Sequence, residues 1–214
     1  MQIKKSFFTI LFLMVIPAFL FAQVPAAKPA TAFEPVFKKL ASGSTWVVNE
    51  TTRLTGLTIP EGATIKAPEG YSVTMTVYGI GMPIESGLYK GDIVLTVTKE
   101  IPVKYGSFEP YKFRAAVYVE NGKYVPEKSV TAIGVGGKVT DNSADDLNIT
   151  SKEEKFNGII VKSDTKTSYT INNAVINLTG NGGNDFAGYG AAVMSSGKAE
   201  VTVNKARIIT DGAI

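Results

Sequence analysis

The chain has 214 residues, 22 of them Lys or Arg against 19 Asp or Glu, and it contains neither cysteine nor histidine. Without cysteine there is no disulfide framework, no thiolate metal site and no lipid attachment at a cysteine; without histidine the commonest proton shuttle is missing. The formal charge of +3, or +1 once Lys4 and Lys5 are set aside, gives no support to nucleic acid as a partner.

Residues 1–22 read as a secretory signal peptide: Lys4 and Lys5 form a positive start, residues 7–21 an apolar run, and Ala22 a small residue suited to cleavage. The run is about 15 residues long and contains Pro17, whereas a membrane span needs about 20. Cleavage is therefore expected over a retained anchor, leaving a mature chain from Gln23 with no transmembrane span, secreted or held at the cell surface. Residues 23–44 read as a Pro- and Ala-rich linker followed by a cap. Phe33, Val36, Phe37 and Leu40 fall at i, i+3, i+4 and i+7, one face of a short helix that would close the end of a stacked β fold.

Strands are predicted at 45–48, 54–59, 63–66 and 72–77, broken by Pro60-Glu61-Gly62 and Pro68-Glu69-Gly70, in which Pro presets φ and Gly takes the positive φ of a turn. Val73, Met75 and Val77 alternate with Thr74 and Thr76, which predicts one buried face and a threonine row in water. Residues 45–78 thus read as the first coils of a β-solenoid. Over residues 79–128 the pattern changes. Asn121-Gly122 lies between two alternating runs, a strong hairpin signal, so the stretch reads as an antiparallel excursion beside the solenoid. A separate sandwich domain over 45–127 is the alternative.

Residues 129–214 return to coil style. Residues 157–180 are written a second time at 189–212, at an offset of about 32: Gly158 falls on Gly190, Val161 on Val193, Thr170 on Thr202, Asn172 on Asn204 and Ile176 on Ile208. With one extra residue allowed, Thr140 and Asn142 align with Thr170 and Asn172. Asn142, Asn172 and Asn204 would then stack as a structural amide ladder. The repeat stops on an uncapped edge at residues 207–214, so further coils are expected past residue 214.

The coil repeat, the small inward residues and the asparagine ladder together resemble the secreted right-handed parallel β-helix proteins of the pectate-lyase-like superfamily, most closely over 129–214. The resemblance implies an all-β, right-handed parallel β-helix, here with a capping helix and an inserted antiparallel excursion. It also implies an extended surface that binds or cleaves polysaccharide, although the superfamily includes adhesins without catalysis. Fold alone does not choose between them.

Site candidates are few. The loop 180–188 is similar to the calcium-binding nonapeptide, with Asp185 at the ligand position. It occurs once, whereas a hard cation takes six to eight oxygens shared between copies, so the loop reads rather as a projection, with Phe186 or Tyr189 covering its base or touching a ligand. Asp141, Asp145 and Asp146 form an acidic cluster whose alternation points adjacent carboxylates apart. Arg207 lies between inward Ala206 and Ile208 and so points outward, with no acid to pair from sequence. Aromatic residues concentrate in the excursion, and Tyr105, Phe108 and Tyr111 are its best candidates for stacking on sugar rings. The expected function is therefore non-catalytic binding of extracellular polysaccharide or a host-surface glycan, with no cofactor beyond a weak calcium candidate. The alternative is the N-terminal portion of a polysaccharide lyase or glycoside hydrolase whose active site lies in downstream coils. A stalk role is the third.

Overall fold

The first surprise in the computed structural model, which describes residues 35–134, 136–183 and 187–212, is a short repeat near its start. Strands β1 (Phe37–Lys39), β2 (Thr45–Val47), β3 (Thr52–Ile59) and β4 (Thr64–Lys66) pair alternately, β1 parallel to β3 and β2 parallel to β4. Partners stand 19 residues apart, and the hydroxyls of Thr45 and Thr64 meet at 2.8 Å. Leu40, Leu57, Ile59 and Ile65 are buried in the core that results.

This pairing replaces the expected capping helix. Phe37 lies in β1, and the Leu40 N–H donates to the carbonyl of Thr58 at 3.0 Å. Phe37 is 73% exposed while Leu40 is buried, so the helical spacing does not mark a shared face; Phe33 lies outside the described residues, as does the whole of the stretch expected to be a signal peptide. Four apolar residues in a short window fit a helix or a strand about equally, and the ladder to β3 decides. Phe37 has a local task instead: its ring lies against Gly56, covering a strand position that has no side chain of its own.

Strands β5 (Tyr71–Val77), β6 (Ile80–Met82) and β7 (Gly87–Lys99) continue the sheet with antiparallel pairing, β7 lying between β3 and β5. Antiparallel pairing therefore begins within residues 45–78. A bulge interrupts the β3–β7 register at Gly91, whose φ of +107° suits glycine, and the Tyr78 ring lies against it. The threonine row expected in water is not there: Thr74 and Thr76 are fully buried, and Thr96, the partner of Thr74, is buried beside them. Both faces of this part of the sheet are covered, which alternation alone could not reveal.

The chain then forms β8 (Ile101–Val103), β9 (Tyr111–Glu120) and β10 (Lys123–Tyr124), with a 3-10 turn at Pro126–Lys128. The hairpin at Asn121-Gly122 is present, both residues at positive φ. β9 is nevertheless more than one arm of an excursion, because its other edge pairs parallel to a later strand. The remaining strands are β11 (Lys138–Val139), β12 (Ser143–Asp145), β13 (Asn148–Ser151), β14 (Phe156–Asn172), β15 (Val175–Leu178), β16 (Val193–Asn204) and β17 (Arg207–Thr210). They build two parallel ladders, β9–β14–β16 and β6–β13–β15–β17, with β12 beside the second half of β14. Ile159, Val161 and Ile171 from one ladder and Ile149, Ile176 and Leu178 from the other share a core. The described residues are thus all-β, with no helix long and apolar enough to cross a membrane.

The written repeat is a paired repeat over its second half: Thr170 pairs Thr202, Asn172 pairs Asn204 and Ile176 pairs Ile208. Over its first half the register differs by two, with Ile159 rather than Val161 opposite Val193. The shift falls between Ser163 and Thr167, where β14 carries two residues more than β16. Asn121 holds that loop, its Oδ1 accepting from the Asp164 N–H at 2.8 Å and from the Ser163 hydroxyl at 3.3 Å. Gly197 sits opposite, and a Cβ there would strike the Ser163 carbonyl oxygen.

The polar ladder also needs one correction. Asn204 Nδ2 donates to Asn172 Oδ1 at 3.0 Å, and Asn172 Nδ2 donates to Asp145 Oδ1 at 2.6 Å. Asp145, 27 residues before Asn172, holds the rung expected for Asn142. Asn142 lies in the preceding turn, its N–H bonded to the Thr140 hydroxyl. Each rung then turns through a residue in the left-handed region, Asp146, Asn173 and Lys205. The next residues, Leu147, Ala174 and Ala206, pack into the core.

Candidate ligand-binding surface

Tyr105 and Phe108 lie in the loop between β8 and β9, and Tyr111 opens β9. The Phe108 N–H bonds to the Tyr105 carbonyl, folding the loop back on itself. Tyr189 comes from the loop that joins β15 to β16. The structure brings Tyr105, Tyr111 and Tyr189 together: the first two rings are 5.7 Å apart between centroids, and Tyr111 meets Tyr189 edge-on at 6.0 Å. Buried Phe113 packs at 4.6 Å from Tyr189, forming the floor. Two hydroxyls fasten the cluster: Tyr105 donates to the Ala187 carbonyl at 3.2 Å, and Tyr189 donates to the Lys112 carbonyl at 3.3 Å. Burial pushes the Tyr189 phenol above its ordinary value, so it remains a donor through the neutral range.

Phe108 stands apart at the loop, 68% exposed, and the Lys155 ammonium lies 5.9 Å from the Tyr189 ring centroid. The surface therefore presents ring edges and faces held by fixed backbone contacts, with a cation at one side. Such a surface can stack against a flat apolar face and hydrogen-bond at its rim. Asp185 and Phe186 lie outside the described residues.

A groove of about 440 Å³ lies nearby in the chain, lined by Glu85, Arg114, Lys152, Glu153, Glu154 and Asn181 among others. Arg114 follows Phe113 on β9. Its Nη1 donates to Glu153 Oε2 at 3.0 Å and to Thr74 Oγ1 at 3.3 Å, while Nη2 donates to the Glu154 carbonyl at 2.9 Å. Glu153 is only 7% exposed, and its Oε1 is shut away from solvent. Burial raises the Glu153 pKa, and the charge and hydrogen bond of Arg114 together with the Met75 backbone N–H do not cancel that effect. With one carboxylate oxygen on Arg114 and the other sealed from solvent, the pair acts as a clamp between β5 and the 152–155 turn.

Sequence reasoning missed Arg114 and Glu153, because only the juxtaposition of β5, β9 and the turn before β14 makes them partners. The three acids considered from sequence separate among different tasks. Asp141 takes Lys123 Nζ at 2.7 Å and the Tyr124 N–H at 3.0 Å, and the Lys123 hydrogen bond chiefly lowers its pKa. Asp145 sits in the polar ladder, and Asp146 accepts from Asn173 Nδ2 at 3.1 Å. Among the described residues no three His, Cys, Asp or Glu side chains gather as a metal site. Arg207 is exposed on β17, opposite Val175. No protein-family model matches the chain, and neither a curated protein nor a solved structure is similar enough to count as a match.

Proposed function

We propose that the chain is an exported, non-catalytic glycan-binding protein, built as a right-handed parallel β-helix of the pectate-lyase-like kind and displayed outside the cell. The observation that carries this reading is the convergence of Tyr105, Tyr111 and Tyr189 from two stretches 77 to 82 residues apart in sequence, tied by the two tyrosine hydroxyls. Rings held in this way lose little freedom on binding, which favours stacking against a sugar face. Phe108, exposed on the same loop as Tyr105, offers a separate ring for stacking, and Lys155 offers a donor to ring hydroxyls. The apolar run at residues 7–21 supports export.

Affinity electrophoresis of the purified protein through a panel of neutral and acidic polysaccharides tests the reading. At least one glycan is expected to retard the protein, and Phe108→Ala is expected to weaken that retardation about fivefold, roughly 1 kcal/mol. Identical mobility with and without every glycan sinks the proposal. Release of shortened or unsaturated sugars would favour the lyase or hydrolase alternative instead.

A further inference from the structure

We propose that the outer face of β1, β3 and β7 docks this chain onto an anionic lipid surface, with Phe37 and Leu88 entering the layer and Lys39 and Lys90 pairing with its head groups. The ladder register sets out the face. Phe37 pairs Gly56 and Gly56 pairs Lys90, while Lys39 pairs Thr58 and Thr58 pairs Leu88. By alternation these six positions share one side of the sheet. The middle strand carries only a glycine and a threonine there, and the strands beside it carry long side chains. A trough of about 240 Å³ results, walled by β1 on one side and β7 on the other. Each wall holds one apolar side chain and one cation. Phe37 is 73% exposed and Leu88 63%, although both stand on paired strands. β3 and β7 have neighbours on both sides, so the trough does not depend on a free edge.

Charge and area choose the occupant. Among the described residues no acid lines the trough, and neither Lys39 nor Lys90 forms an ion pair. The acids that flank its β7 wall are engaged elsewhere: Asp92 pairs with Arg53 at 3.4 Å, and Glu85 lines the groove beside Arg114. Lys38, on the opposite side of β1, lies over the Trp46 ring at 4.8 Å. A second copy docked face to face would set lysine against lysine with no acid to receive either. A protein partner needs about 20–30 residues on each side, and nine line the trough. A glycan chain needs acceptors for its hydroxyls, and the trough has no carboxylate or amide side chain to supply them. A lipid surface takes up projecting apolar groups among its acyl chains and holds cations at its phosphates, without requiring a matched shape. The Phe37 ring already rests on Gly56, so it loses little freedom on insertion.

Vesicle flotation of the expected mature chain, from Gln23, tests this with phosphatidylcholine alone and with about one third phosphatidylglycerol added. Flotation with the anionic vesicles is expected, weaker at high salt, and little with the neutral ones. Leu88→Ser and Lys90→Glu should each lower the partition about tenfold. Both positions are exposed, and a circular dichroism spectrum unchanged from wild type checks that each variant is folded. Phe108→Ala should leave the partition unchanged, which separates this face from the proposed glycan surface. The chain has no cysteine, so Leu88→Cys and Lys166→Cys each carry a single environment-sensitive dye. Its emission should shift to the blue on anionic vesicles at 88 and not at 166. No flotation, a partition indifferent to Leu88→Ser and Lys90→Glu, or a shift at 166 without one at 88 overturns the proposal. Retardation by an acidic glycan that Lys90→Glu abolishes, with no flotation, assigns the face to that glycan and overturns it as well.

Discussion

From β3 through β7 and β5 to β6, neighbours in the eight-stranded sheet run antiparallel, whereas from β6 to β17 every neighbour is parallel. The antiparallel part is assembled from unlike strands, with a bulge at Gly91 and rings set over glycines at positions 56 and 91. The parallel part places like residues on like: isoleucine on isoleucine, asparagine on asparagine, one left-handed corner above another. In the first, each contact is particular to its pair; in the second, a residue's contribution depends on how many rungs flank it. Arg114 joins the two, holding Thr74 of the antiparallel part and the 153–154 backbone and side chain of the other.

The largest expected effect lies at that junction. Arg114→Met leaves Glu153 buried without its cation and should cost about 3–5 kcal/mol in urea unfolding, while Arg114→Met with Glu153→Leu should recover most of the loss. An equal loss in the single and double variants would mean that the two parts are held together elsewhere. Next comes the rung dependence. Ile176→Ala, at a fully buried position, should cost about 2–5 kcal/mol, whereas Ile208→Ala, at a half-exposed one, should cost less than about 1 kcal/mol. Similar losses at both positions would contradict the difference in burial between them.

The two parts also differ in how acid acts on them. Asp145, in the parallel stack, has a pKa lowered by the Ser143 hydrogen bond first and then by Asn172. Its contribution is present above the ordinary value of 3.8 and is lost as pH falls through the lower folded value. Glu153, at the junction, has a raised pKa, so its contribution is fully present below the ordinary 4.5 and is lost as pH rises through the higher folded value. Urea midpoints measured from about pH 3 to 8 should therefore show less acid-side loss in Asp145→Asn. Glu153→Gln should show less decline on the alkaline side of 4.5. A profile unchanged by either variant would remove the assignment. The smallest effect is a gain: Lys205 occupies the left-handed corner that Asp146 and Asn173 fill in the rungs before it, and Lys205→Asn should stabilise by about 0.5–1 kcal/mol. Thermal unfolding checks it.

The parallel stack was legible in the sequence because its residues recur: Thr170 and Thr202, Asn172 and Asn204, Ile176 and Ile208 are paired in space. The repeat of 19 residues at the start is hard to see because, apart from Thr45 on Thr64, its strand partners differ in kind, Phe37 lying on Gly56 and Trp46 on Ile65. Those positions share a backbone path and not a side chain. The missing rung partner Asp145 was hidden for a related reason, since an aspartate accepts from Asn172 as an asparagine does, and matching by identity selected Asn142. At the candidate surface, Tyr105, Phe108 and Tyr111 could be found by composition. Their meeting with Tyr189 could not, because it depends on where the β15–β16 loop crosses β9.

The loop between Ser163 and Thr167 has a meaning for how such a chain can change length. β14 exceeds β16 there by two residues, an even number. Because successive side chains of a strand point to opposite faces, an even insertion leaves everything after it facing as before, and Tyr169 and Ile171 stay in the core. An odd insertion would turn the rest of the rung inside out. Growth and shrinkage of these rungs are thus quantised in pairs, and natural or engineered variants of the stretch are expected to tolerate dipeptide changes where single-residue ones abolish folding.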